Sequence, residues 1–152
     1  MANLGQWNAL SAKTALLTTE LNSIANGKVS AVQGTAFDNS AGPIYCFFDL
    51  NLASLSPTTG AYMAIWGWLS LDGTNYGGPR PSSGSSPSGT DPALRVTGSL
   101  DLTASGTPRL VLGPFTLAPG KYLFQVENGS GVTLPSSGNT LDIYTAKINL
   151  NG

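Results

Sequence analysis

The chain has 152 residues, a formal net charge of −1, no histidine and one cysteine, and only 10% of its residues are charged. That length fits one domain with a core of its own, while the charge content lies far below the roughly 25% of ordinary soluble domains. Ser, Thr, Gly, Asn and Pro fill the difference, which is the composition of many short strands joined by turns. Lys and Arg are scattered singly at 13, 28, 80, 95, 109, 121 and 147, so no basic stripe exists to meet phosphate, and nucleic acid is not an expected partner.

The same inventory removes most chemistry. Without His there is no Ser-His-Asp or Cys-His arrangement and almost no zinc site. Cys46 sits in an apolar run with no base beside it, and reads as a small buried hydrophobe. Eight acids are spread along the chain without a local pair, so paired-carboxylate glycoside chemistry has no sequence support. No GxxxxGK[ST] or strand-linked GxGxxG occurs to cradle a phosphate. The expectation is a protein without enzymatic activity, cofactor or metal. Neither a signal peptide nor a run of ~18 apolar residues is visible, so a cytosolic product that crosses no membrane is expected.

In chain order, Met1–Gly27 is the one part with a helical pattern. Leu10, Thr14, Leu17, Leu21 and Ile24 recur at spacings of four and three, one face of a helix. Thr18 or Thr19 would cap a short helix, with Glu20 in its first turn and Gly27 past its end. Two heptads are too few for a coiled coil. The segment is expected either to pack on the sheet or to reach a neighbouring subunit as an arm.

From Lys28 the pattern is β. Strands are predicted over Val29–Phe37, Ile44–Ala53, Ala61–Leu71, Ala93–Thr103, Pro108–Leu117, Lys121–Glu127 and Thr140–Leu150, with turn formers between them. An eighth strand would come from Val132–Leu134 or from the N-terminal segment. The fold class is therefore all-β, an antiparallel jelly-roll-like sandwich or barrel with a short N-terminal helix or arm over 1–27 and a β domain over 28–152.

The stretch Ala61–Tyr76 stands out. Tyr62, Ala64, Trp66 and Trp68 point one way, and Met63, Ile65, Gly67 and Leu69 the other. Both rows are apolar, so both faces of this strand need a cover, from a loop, the N-terminal segment or another subunit. Trp66 and Trp68 are expected in the core or at a subunit seam. A sugar-stacking platform of Tyr62, Trp66, Trp68 and Tyr76 is the sharper alternative, and it needs those rings open to solvent. Asp72-Gly73-Thr74-Asn75 reads as a turn, and one acid there is weak support for calcium. Gly77–Thr90, rich in Pro, Ser and Gly, reads as a mobile surface loop that could also serve as a contact element, with Arg80 its only charge. Asn128-Gly129-Ser130 matches a glycosylation sequon but reads more simply as a turn.

Three stretches, in this order and at these separations, carry a resemblance: Leu17–Gly27 (LTTELNSIANG) following Trp7, Leu71–Gly77 (LDGTNYG), and Leu117–Leu141 (LAPGKYLFQVENGSGVTLPSSGNTL). Together they resemble small virion structural proteins of tailed bacteriophages, of the capsid-decoration or cement type. The resemblance covers most of the chain except the Pro/Ser loop. It implies a jelly-roll-like domain, a homotrimer, and a seat on the exterior of an icosahedral capsid. There the protein would clamp neighbouring major capsid protein subunits. Trp7, Leu17, Leu21 and Ile24 would pack the arm or a neighbour, Trp66 and Trp68 the core or trimer seam, and Arg80 a contact. The alternative is a receptor- or carbohydrate-binding module of a phage tail or fibre.

Overall fold

Alternation along one strand sets the architecture. In the computed structural model, which describes residues 6–7, 9–42, 44–87, 92–100 and 106–149, Tyr62–Ser70 forms a strand with Met63 and Ile65 buried on one side and Ala64, Trp66 and Trp68 buried on the other. The strands in chain order are β1 (Gln6–Trp7), β2 (Thr14–Leu17), β3 (Lys28–Val29), β4 (Phe37–Asp38), β5 (Ile44–Asn51), β6 (Tyr62–Ser70), β7 (Leu94–Ser99), β8 (Arg109–Leu117), β9 (Lys121–Gly129), β10 (Thr140–Ala146) and β11 (Ile148–Asn149).

Nine of them, β2 to β10, form two antiparallel sheets. The first has the order β2-β10-β5-β8, and the second the order β3-β9-β6-β7, with β4 pairing β9 further along the same edge. Counting β3 and β4 as one interrupted edge strand, the pairs β2·β10, β3/β4·β9, β5·β8 and β6·β7 nest within one another and fall alternately in the first and second sheet. A long hairpin wrapped in this way is the jelly-roll arrangement, which closes a sandwich from eight strands. The eighth strand comes from the N-terminal segment.

The core lies between the sheets. Cys46, Phe48 and Leu50 of β5 and Leu141 and Ile143 of β10 meet Met63 and Ile65 of β6 and Phe124 and Val126 of β9. Phe48 and Phe124 touch edge to face across the sheets, with ring centroids 5.3 Å apart, a favoured geometry for aromatic pairs. Gly98 lets the edge strands β7 and β8 close over one side: a Cβ there would lie 2.7 Å from the Leu110 and Leu112 side chains.

The N-terminal helix is not present. β2 pairs with β10, and one 3-10 turn at Thr19–Leu21 follows it. Glu20 does serve that turn, accepting a hydrogen bond from the Thr18 N–H at 2.9 Å, and Gly27 turns into β3 at φ +71°. The physical reason is competition. So short an isolated helix is marginal in water, whereas a strand here satisfies the open edge of β10. It buries Leu16 and Leu17 as well, with Leu21 and Ile24 following into the same core. Leu10, placed by periodicity on the helical stripe, is instead 53% exposed. β1 and β11 extend this pairing of the two ends of the chain, Gln6 opposite Asn149 and Trp7 opposite Ile148.

Candidate functional site

The outer faces of the two sheets hold the polar side chains that could act on another molecule. Three carboxylates are buried there by the same device. Asp49 of β5 takes a bidentate fork from Arg109, Nε to Oδ1 at 2.8 Å and Nη2 to Oδ2 at 2.7 Å. Asp142 of β10 takes the Lys13 ammonium at 3.1 Å, and Glu127 of β9 takes Arg95 at 3.5 Å. In each pair the acid side chain is 4–6% exposed and the cation 51–61% exposed. Each flexible cation arches from the surface over a carboxylate set in the sheet. The partners lie 60, 129 and 32 residues apart, which is why no local pattern announces them.

On the first sheet, Asp49 and Asp142 are directly opposed across β5 and β10. The acids without a local pair in sequence therefore do meet in space. Hydrogen bonds from Arg109 hold the Asp49 carboxyl below its usual range, with Asn51 adding to the effect, and Asp142 raises the Lys13 ammonium. Acid catalysis needs a carboxyl held protonated near neutral pH, and Asp49 is arranged for the opposite. At the Asp49–Arg109 pair lies a cleft of about 200 Å³ lined by Leu10, Phe47, Asp49, Arg109, Val111 and Tyr144. Phe47 and Tyr144 are a cross-strand pair and only half-buried, while Leu10 and Val111 are 53% and 56% exposed.

On the second sheet the Trp strand is covered from within the chain. Trp66 and Trp68 lie 6.1 Å apart between ring centroids and are 4% and 0% exposed. Glu127 accepts hydrogen bonds from the Tyr62 hydroxyl at 2.6 Å and the Trp66 indole at 3.2 Å, and Gln125 accepts one from the Trp68 indole at 3.0 Å. Arg95 stacks over the Trp66 ring at 5.2 Å. Tyr76 packs on the pair, and Arg80 sits over the Tyr76 ring at 5.4 Å. The Pro81 carbonyl accepts from Gln125. Further along the loop, Gly84 donates to the Val29 carbonyl and Val29 to the Ser85 carbonyl.

This corrects two expectations. The described part of the Pro/Ser loop, 77–87, lies bound against the sheet, because its carbonyls find donors in Gln125 and Val29; residues 88–91 lie outside the described residues. The platform of Trp66 and Trp68 is closed to a sugar, because both rings are buried, with Tyr76 packed on them, Arg95 stacked over Trp66 and the polar side chains of β9 bonded to both indoles.

The remaining candidates fall as follows. Leu17, Leu21 and Ile24 are buried in the inter-sheet core of the chain itself, so they present nothing to a neighbour. The backbone of Trp7 is paired with Ile148, and its side chain lies outside the described residues. Arg80 is exposed on the strap. Asp72 spends its carboxylate on the Thr74, Asn75 and Ser70 donors, which drive its pKa far down, so it is a turn lock. Asn128 is fully buried and donates to the Ile24 and Val132 carbonyls; the sequon expected as a turn begins on the end of β9, where Asn128 and Gly129 pair with β6, and only Ser130 lies past the strand. Cys46 is fully buried, and desolvation pushes its thiol up to about 12. Among the described residues, no group of three or more Cys, Asp or Glu side chains gathers where a metal ion would bind. No protein-family model matches the chain, and no curated protein matches it in sequence.

Proposed function

We propose that the chain is a non-enzymatic decoration, or cement, protein of a bacteriophage capsid, which binds the exterior of the shell as a homotrimer and bridges major capsid protein subunits. The observation that carries this reading is the way the stretches of the resemblance engage one another. Leu17–Gly27 and the second half of Leu117–Leu141 interlock: Ser23 donates to the Pro135 carbonyl, Leu134 to that of Ile24 and Gly27 to that of Asn128. Gly131 donates to the Asn26 side chain, and Asn139 to that of Asn22. The middle stretch meets the other half of the third, where Gly73 abuts Lys121. Residues that are only turn formers one by one thus act as a set.

Two further features fit. The outer face of the first sheet keeps Leu10 and Val111 exposed beside Phe47 and Tyr144, apolar surface of the kind that marks an interaction face. Low charge suits a protein that buries surface against copies of itself and against a shell. The mechanism is additive, since each trimer bridges several subunits and modest contacts sum through multivalency.

Two measurements test it. Light scattering behind a sizing column should give a mass near three times 15.6 kDa. Shells carrying the protein should resist heat or chelator better than shells without it, and equal resistance overturns the stabilising role.

A further inference from the structure

We infer that the cleft on the outer face of the first sheet is a binding site for a neutral saccharide, taking a single pyranose ring. This goes beyond the decoration role while using the same exposed face of the first sheet that the decoration reading marks for interaction, and it concerns a different surface from the Trp strand.

Size comes first. The cleft, at about 200 Å³, has room for one sugar ring and its substituents but not for a bundled chain or a large cofactor. Its walls come next. Phe47 and Tyr144 stand side by side on β5 and β10, half-buried, with Val111 and Leu10 flanking them. A pyranose presents an apolar face of C–H groups, and aromatic side chains offer rigid amphipathic surface at low entropic cost.

The polar groups then choose the ligand. Asp49 engages the Arg109 Nε and Nη2. The guanidinium has five N–H donors in all, so it retains others for a hydroxyl oxygen, and at 60% exposure it can reach one. The Tyr144 hydroxyl makes no hydrogen bond to a described residue and can donate or accept. Because Asp49 anchors one edge of the guanidinium, the remaining donors are pre-oriented, which lowers the cost of binding.

Charge narrows the class. Asp49 cancels Arg109, and beside them Asp142 cancels Lys13. A phosphate or carboxylate ligand would have to compete with Asp49 for its guanidinium, and a cation would be repelled by Arg109 and Lys13. An uncharged molecule with hydroxyls on its edge and C–H groups on its face meets neither obstacle. A few polar groups converging on a largely apolar cleft is the usual build of a small-molecule site.

The experiment titrates the isolated full-length chain with neutral hexoses and N-acetylhexosamines, as single sugars and short oligomers, following backbone amides by two-dimensional NMR. Expected are saturable shifts at Phe47, Val111 and Tyr144, with dissociation constants in the millimolar range typical of one small ring. Val111→Arg fills the cleft from an exposed position and should abolish the shifts, and Tyr144→Phe should weaken binding roughly tenfold. Leu71→Arg, in the bend just past β6 of the other sheet, should leave them unchanged. Absence of saturable shifts across the panel, shifts centred on the Trp66 strap, or full binding by Val111→Arg would each overturn the proposal. Shell stabilisation is measured separately on particles, so failure of one reading leaves the other standing.

Discussion

Asp49 and Asp142 stand opposite each other on neighbouring strands, both almost wholly buried, each joined to its own exposed cation. Like charges so placed repel, so the sheet tolerates them only with Arg109 and Lys13 in position. Because hydrogen bonds from Arg109 lower the folded pKa of Asp49 beneath its unfolded value of about 3.9, this pairing contributes stability fully above about pH 5. That contribution is lost as pH falls through 4 toward the folded pKa. Arg109→Ala should therefore lower stability at pH 7, by less than loss of a fully buried pair because the guanidinium is 60% exposed. The gap from the parent protein should shrink at pH 3. Urea denaturation at both pH values checks this, and a gap independent of pH would contradict it.

The Trp68 indole sits fully buried with its N–H on Gln125. Trp68→Phe should remove volume and leave the Gln125 oxygen without a donor, costing about 2–3 kcal/mol. The midpoint of chemical unfolding should fall while the denaturant slope stays constant. In the parent protein, tryptophan fluorescence should be indifferent to added glycans, because the pair is covered.

Asn128 carries the sequon but holds two backbone carbonyls with its buried amide. Asn128→Ala should destabilise by roughly 1–2 kcal/mol, since the Ile24 and Val132 carbonyls each lose one of two donors and the Ser130 N–H loses its acceptor.

Cys46 lies in the core with its thiol pushed up to about 12. Thiol reagents need the thiolate and access to it. Labelling of the native protein at pH 8 should therefore be negligible and should become complete in denaturant. Rapid labelling without denaturant would mean that β5 opens locally.

Much of the fold was legible because period-two alternation is local. Ile44–Asn51, Tyr62–Ser70, Arg109–Leu117 and Lys121–Gly129 carry their in–out pattern and turn formers in adjacent residues. The doubly apolar Trp strand likewise stated that two covers were needed. The N-terminal segment was misread because its leucines satisfy a helical stripe, and only the open edge of β10 made strand pairing the better use of them.

The sequence by itself determined a β domain with Cys46 inside and a turn lock at Asp72. Only the tertiary structure decided that Tyr76, Arg95 and the polar side chains of β9 cover Trp66 and Trp68. It alone paired Asp49 with Arg109 and Asp142 with Lys13, and so neutralised the charge at the cleft that Phe47 and Tyr144 line. The physical reason is separation: alternation and turn chemistry act between adjacent residues, whereas a salt bridge across 60 or 129 positions exists only after the sheet has set its register.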